Sequence, residues 1–511
     1  MCGIFYINWI PKKEVIKEMI LSLKNRGPDF NDIYIDKKEN FVMGHTRLSI
    51  IDIDKRSNQP MDLHDCIITF NGEIYNYKKI KKLILEDFEF KTKSDTEVII
   101  ALYKKLGIEG FKYLEGMFAF ALHDKIKKKT YFLRDPVGIK PLYFYFNSGK
   151  IVASSKIQTL KPFTDKSINF RAINDILTWG YPRVPVYDKI YEFEPGKVYD
   201  CNLNKKNIDF IVNKRKTIKH AIEEQFVNSD RPVGILLSGG IDSAYIAYVC
   251  SKISKQRIHT FTIGFTKEDP DIVAAKKLAK HIGSKHHQII ISEKGFERNL
   301  KEGIDKIGFP TDLGSVSFIN AIGKEIAKTE IKVLLSGDGN DEISGGYKRY
   351  AETNGLRTKE LIEWYINRIT KNDYEAKKKL IGDNAYNVQM NDLEAYNNSN
   401  IILWIDFKNE LLFYHLKRMD HIISEYGIEL RVPYLDYSFV MNSFSKSFAS
   451  KVNKRGNKLL VRDFALADGL PKEFAFGPKI PMKPKNFKTK DHIIRITKMW
   501  LDNNKIKGVC K

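Results

Sequence analysis

Cys2 is the second residue of the chain and is followed by Gly3. Removal of Met1 ahead of so small a side chain would leave a thiol that carries its own α-amine. An α-amine with a pKa of about 7.7–8.0 can act as the local base for that thiol. Three more segments supply what a thiolate needs to attack the side-chain amide of an amino acid. Arg47, within Gly44–Ile50, offers a guanidinium able to grip a carboxylate with two donors. The Asn71 amide and the Gly72 N–H, at the end of a strand, could line an oxyanion hole. Asp95, where Ser94–Glu97 opens a helix, supplies an acid for an α-ammonium. Together they would hold an amino acid by both charged ends. The alternative for Asn71-Gly72 is a hairpin turn, and for Cys2 an incidental residue at a frayed terminus.

A second chemistry follows further along. Leu237-Ser238-Gly239-Gly240-Ile241-Asp242-Ser243 joins an apolar strand to a helix, where small residues let N–H groups and hydroxyls close on phosphate oxygens. It has neither the lysine of a Walker A loop nor the GxGxxG spacing. Asp242 beside phosphate calls for Mg²⁺ to offset the repulsion. Leu335-Ser336-Gly337-Asp338-Gly339-Asn340-Asp341-Glu342 also follows an apolar strand, so both loops should meet at the C-terminal edge of one sheet. That pairing points to a metal-assisted nucleotide site rather than to two solvated turns.

The elements that must position these groups are legible in outline. Residues 1–200 are strand-rich, with short apolar runs such as Cys66–Phe70, Phe118–His123 and Thr130–Leu133 bounded by glycines and charged turns. Pro141–Phe146 has the aromatic content of a buried strand, and Asp95–Lys105 has helical spacing with Ser94 as candidate N-cap. The Lys/Asn-rich stretch Asn202–Lys216 breaks this pattern and marks a boundary between units at 1–204 and 215–511. Beyond it the rhythm becomes strand, glycine turn, helix, which predicts strands at Val233–Leu237, His259–Ile263, His287–Ile291 and Ile331–Leu335 in a parallel α/β sheet. Helices are expected at Ala244–Ile253, Ile272–Ile282 and Phe318–Thr329, and most of 350–511 reads as helical.

Composition excludes several classes. The 511 residues are too many for one ordinary core, and 43% hydrophobic with 12% aromatic residues exclude intrinsic disorder. No stretch reaches the roughly 18 apolar residues of a spanning helix, and the N-terminus lacks the basic flank of a signal peptide. Five cysteines, odd in number, far apart and without a CxxC pair, argue against a zinc site and a disulfide scaffold and fit a reducing cytoplasm. The net charge of +22 is spread over the whole length, which fits a solvated surface with no specific nucleic-acid partner.

Seven ordered blocks of the first half resemble the class II glutamine amidotransferase domain, an N-terminal-nucleophile glutaminase. They are Cys2–Ile4, Arg26–Asp29, the Arg47 segment, Asn71–Asn76, Ser94–Glu97, Leu114–Phe120 and Arg134–Tyr143. The resemblance implies Cys2 as nucleophile and Asn71 and Gly72 as oxyanion donors. It implies glutamine held by Arg47, Leu48, Ile51, Asn71, Gly72, Glu73 and Asp95. One departure is Lys156, near where the family usually has Glu. The second half resembles the ATP-pyrophosphatase domain of asparagine synthetases, through SGGIDS, SGDGNDE, Glu429–Asp436 and Gly456–Arg462. That implies ATP held by Leu237, Ser238, Gly239, Gly240, Asp242, Ser243, Ile263, Ser336 and Gly337. Asp242 and Asp341 would hold Mg²⁺, and Asp338 and Lys479 would act in the adenylation. The implied fold is an α+β sandwich of stacked antiparallel sheets between helices, then a parallel α/β sheet with a helical C-terminal part. The implied activity is glutamine-dependent asparagine synthesis from aspartate and ATP, compatible with a homodimer. Pro310–Ser317, where acceptor recognition is expected, resembles the family only loosely, so another acceptor carboxylate on a sugar, peptide or cofactor precursor is an open alternative. Two more remain: a tRNA-modifying ATP pyrophosphatase, and a glutamine-sensing or storage protein with an inactive second half.

Overall fold

The computed structural model describes residues 1–165, 167–311, 314–353, 360, 364, 400–477 and 489–504. Lys479, Asp312, Leu313, Cys510 and the segment Ile480–Lys485 lie outside those residues. The first unit carries β1 (Gly3–Ile7), β2 (Phe30–Asp36), β3 (Phe41–Arg47), β4 (Met61–Leu63), β5 (Cys66–Ile74) and β6 (Gly116–Asp124). It continues with β7 (Lys129–Arg134), β8 (Tyr143–Asn147), β9 (Lys150–Ser154), β10 (Ile190–Glu192), β11 (Lys197–Asp200) and β12 (Lys205–Asn207), the last pairing with β11 and so carrying this sheet past the expected end at 204. They form two six-stranded antiparallel sheets, in the orders β10-β8-β9-β1-β3-β2 and β12-β11-β7-β6-β5-β4.

The continuous apolar run Gly3–Ile7 forms the middle of a sandwich because both its faces are covered. Ile4 and Tyr6 pack with Ile67, Ala119, Ala121 and Phe132 of the facing sheet, while Phe5 and Ile7 join the core that contains Ile16, Met19, Ile20 and Leu23 of the helix Lys13–Leu23. The helix Thr96–Leu106 covers the second sheet from the other side. Asp95, not Ser94, is its N-cap residue.

The second unit carries the parallel sheet that the strand–turn–helix rhythm predicts: β13 (Val233–Leu236), β14 (His259–Gly264), β15 (Lys285–Ile290), β16 (Val333–Leu335) and β17 (Glu429–Arg431), in the order β15-β14-β13-β16-β17. The helix Ile241–Ile253 starts earlier than its apolar spacing suggests, which places Asp242 in the first turn. β17 went unpredicted: a three-residue strand inside a helix-rich region carries too short a period to read. The same region holds a π-helical stretch, Phe407–His415, continuous with helices at Ile401–Asp406 and Leu416–Ser424.

The units meet through buried charge. Arg26 contacts Asp420 at 2.9 Å, and Lys417 contacts Glu192 at 2.7 Å. Lys156, the departure from the amidotransferase pattern, makes a 2.6 Å pair with Glu425 of the second unit. Lys216 joins three carboxylates at once, Glu115 at 2.7 Å, Glu224 at 2.6 Å and Asp436 at 3.0 Å. These carboxylates hold the Lys216 ammonium charged against the cost of burial. Lys216→Met would leave the three carboxylates facing one another with no cation, so unfolding by urea should show a loss of about 3 kcal/mol.

Candidate functional site

Cys2 stands at the head of β1, and its Sγ donates to the Leu48 carbonyl at 3.8 Å. Its own carbonyl accepts from Arg26 Nε at 3.1 Å, so the start of the chain is held on both sides. Burial pushes the thiol up from its ordinary value, against the opposing effect of the terminal amine. The Met1 amine is itself lowered to about 6 by burial. The Met1 side chain is enclosed, with Lys140 Nζ at 2.9 Å and Arg26 Nη2 at 3.7 Å from its sulfur, and the Lys140 ammonium also donates to the Leu430 carbonyl at 3.3 Å.

Arg47 ends β3, and its guanidinium is aimed by carbonyls: Asp54 at 2.9 Å, Asp52 at 2.6 Å and Ile51 at 3.4 Å, with the Asn58 amide oxygen at 2.7 Å. These acceptors fix its direction, and its charge bears on the Cys2 thiol. Asn71 and Gly72 lie inside β5 rather than in a hairpin turn, paired with Ala119 and Phe118 of β6. Gly72 has φ +149°, and a Cβ there would sit 2.1 Å from the Met117 carbonyl oxygen, so glycine is required. Both polar atoms of the Asn71 side chain are buried without a partner. An orphaned buried amide is costly unless a ligand completes it.

Asp95 accepts from the Ile74 N–H at 2.9 Å, and burial raises its carboxyl to about 6. Glu73 lies 3.4 Å from Arg431 of β17, and burial first, then the nearby Glu429 carboxylate, holds it well above the usual carboxylate range.

The second cluster forms where β13 and β16 run side by side, with Val233 opposite Val333 and Ile235 opposite Leu335. Their two following loops touch: a Cβ on Gly337 would come within 2.8 Å of the Asp242 Cβ. The SGGIDS turn is tied internally, with the Ser238 N–H donating to Ser243 Oγ at 2.9 Å and the Gly240 N–H to Ser238 Oγ at 3.2 Å. The Gly239 N–H donates to Asp271 at 3.2 Å. Leu237 and Ile263 are buried at the ends of β13 and β14. The Ser336 hydroxyl donates to Asp338, and the Ser336 N–H donates to the Arg431 carbonyl at 3.0 Å.

Asp242 and Asp341, about 100 residues apart in sequence, converge on one ammonium. Lys458 Nζ contacts Asp242 and lies 2.6 Å from Asp341, while Asn340 Nδ2 donates to Asp242 at 2.6 Å. Two carboxylates meeting at one cationic point, with serine hydroxyls on the same sheet edge, form a hard-oxygen donor set of the kind that suits Mg²⁺. Lys458 escaped the sequence reading. It lies in Gly456–Arg462, quoted only as a stretch of likeness, and its left-handed backbone at φ +54° is visible only in the fold. Glu429 and Arg431 likewise gained partners only when β17 came beside β16.

The architecture is a sandwich of two antiparallel sheets joined to a five-stranded parallel sheet with helices. Residues 1–211 match the glutamine amidotransferase domain and residues 213–504 match asparagine synthase, and the chain belongs to the asparagine synthase family. It is 33% identical over 408 residues to a Methanocaldococcus jannaschii relative provisionally named asparagine synthetase [glutamine-hydrolyzing] 2, covering 70% of this chain and 77% of the relative. It is 28% identical to asparagine synthetase B [glutamine-hydrolyzing] of Escherichia coli, covering 86% and 74%, and 30% identical to the asparagine synthetase [glutamine-hydrolyzing] of Zea mays, covering 86% and 69%.

Lys458→Met would leave Asp242 and Asp341 facing one another without their shared cation. It should cost about 3 kcal/mol in unfolding, and Asp242→Asn in the same chain should cost clearly less than the two changes summed.

Proposed function

We propose that the chain makes asparagine from aspartate, ATP and the amide nitrogen of glutamine. The observation that carries this reading is the coexistence in one chain of two sets of groups: Cys2 at the head of β1 with the buried, unpartnered Asn71 amide on β5 of the facing sheet, and the Asp242–Asp341 convergence on Lys458 at the edge of the parallel sheet.

In the first site, trimming of Met1 frees the Cys2 α-amine. An α-amine, with an ordinary pKa of about 7.7–8.0, can serve as the local base that takes the thiol proton. The thiolate attacks the glutamine side-chain carbonyl, and Asn71 Nδ2 and the Gly72 N–H receive the oxyanion. Arg47, its Nη groups held by the Ile51–Asn58 acceptors, offers the substrate carboxylate its Nε–H and its charge rather than a two-donor fork. Asp95 takes the α-ammonium, with Leu48, Ile51 and Glu73 around them. Collapse of the tetrahedral intermediate expels ammonia and leaves a thioester, which water opens to glutamate.

In the second site, the SGGIDS loop with Ile263, Ser336 and Gly337 holds ATP. The acceptor carboxylate attacks the α-phosphorus and pyrophosphate leaves. Asp242 and Asp341 would hold Mg²⁺, which offsets the charge of the departing pyrophosphate when bound. Asp338 flanks the acyl-adenylate. Lys479, outside the described residues, is assigned to phosphate contact from the family pattern. Ammonia then attacks the acyl carbon and AMP departs. In water at pH 7 ammonia would mostly be protonated, so an enclosed passage keeps it nucleophilic.

Cys2→Ala should abolish glutamine-dependent synthesis and leave ammonia-dependent synthesis intact; equal loss of both would refute the division of labour. Asp242→Asn should stop pyrophosphate release with either nitrogen source. Since Asp95 must be ionised to hold the α-ammonium, the KM for glutamine should rise as pH falls below about 6, while ammonia-dependent turnover lacks that limb.

A further inference from the structure

The segment where acceptor recognition is expected re-enters the described structure at Gly314, and Ser315 opens the helix Ser315–Ile326. Its hydroxyl accepts a hydrogen bond from Arg418 Nη1. Arg418 comes from the helix Leu416–Ser424, and the same Nη1 donates to the Tyr414 hydroxyl at 3.0 Å, with the guanidinium 4.7 Å from the centre of the Tyr414 ring. The side chain is only 11% exposed.

What sets Arg418 apart is its unused edge. Its Nε is buried without a partner, and its Nη2 lies 3.9 Å from Asp338 Oδ1, the one carboxylate beside it among the described residues. Other buried or half-buried cations of the second unit have closed ion pairs: Arg349 at 2.6 Å from both Asp406 and Glu410, Lys417 at 2.7 Å from Glu192, Arg431 at 2.8 Å from Glu429. Arg418 is instead gripped by neutral hydroxyls through Nη1, which aims its Nε–Nη2 edge without neutralising it. That edge of a guanidinium takes a carboxylate with two parallel hydrogen bonds. Asp338 is half-spent in the same way: one oxygen accepts from the Ser336 hydroxyl and the other faces Arg418.

We infer that Arg418 is the acceptor-specificity residue, binding the α-carboxylate of the amino acid whose side-chain carboxylate is adenylated. A guanidinium and a carboxylate held side by side without closing on each other match the two charges on the α-carbon of a zwitterion. The α-carboxylate lies on Nε and Nη2, and the α-ammonium faces Asp338. This inference rests on the asparagine-forming reading above and names how its acceptor is chosen.

The test compares aspartate with β-alanine, which is aspartate without the α-carboxylate, in ATP-dependent pyrophosphate release by the full-length enzyme. Wild-type protein should use aspartate far better than β-alanine. Arg418→Met should raise the KM for aspartate at least about tenfold and remove the preference over β-alanine. Its KM for ATP and its glutamine hydrolysis should be unchanged. Arg418→Lys, which keeps the charge and loses the fork, should fall between the two. It carries the comparison if Arg418→Met does not keep the wild-type melting temperature. An unchanged aspartate KM in whichever variant carries the comparison, or a wild type indifferent between the two acids, overturns the role of Arg418 alone. A wild type that releases no pyrophosphate with aspartate overturns the asparagine-forming reading, and the role of Arg418 with it.

Discussion

Charge buried between the two units is the constraint on which the rest of the structure hangs. Arg431 is fully enclosed; it bonds Glu429 at 2.8 Å, lies 3.4 Å from Glu73 across the interface, and donates to the carbonyls of Gln225 and Asn228 at 2.7 Å each. Arg26 does the same from the other side, reaching Asp420 and Ser424 at 2.9 Å each while holding the Cys2 carbonyl. Taking such charges out of water is expensive, and a pair that loses one member leaves an uncompensated charge worth about 3–5 kcal/mol. Sliding one unit over the other would break several such pairs together. The interface therefore has one low-energy arrangement, and both sites inherit it.

Each site is tied to that interface through one or two intermediates. Asn71 and Glu73 occupy one face of β5, since side chains two apart point the same way, and Glu73 is the one that meets Arg431. The Arg431 carbonyl accepts from Ser336 of the glycine-rich loop after β16. The helix Leu416–Ser424 presents Arg418 to Asp338 and, two residues on, Asp420 to Arg26. Groups around the N-terminal cysteine and groups around the glycine-rich loops are thus anchored to the same two short elements.

Much of this was legible from residues alone. The short apolar runs bounded by glycines and charged turns marked the stacked sheets, the strand–glycine–helix rhythm marked the parallel sheet, and the glycine loops announced where ligands should gather. These signals are local: they depend on turn chemistry and on apolar periods within a few residues. Where a segment was read wrongly, competition from outside was the reason. Asn71-Gly72 has the composition of a turn, and its pairing with β6 decides for the strand reading over that alternative. Glu429–Arg431 sits among helices, and only the open edge of β16 makes it a strand.

By itself, the sequence determined which chemistries the chain can carry, because thiol, carboxylate and small-residue loops are properties of residue type and spacing. The tertiary structure alone decided which charges face one another. Lys458 between Asp242 and Asp341, Arg418 with one edge unused, and Lys156 paired with Glu425 all join residues far apart in the chain. Such pairings follow from how buried surfaces fit, and no period within a single segment encodes them.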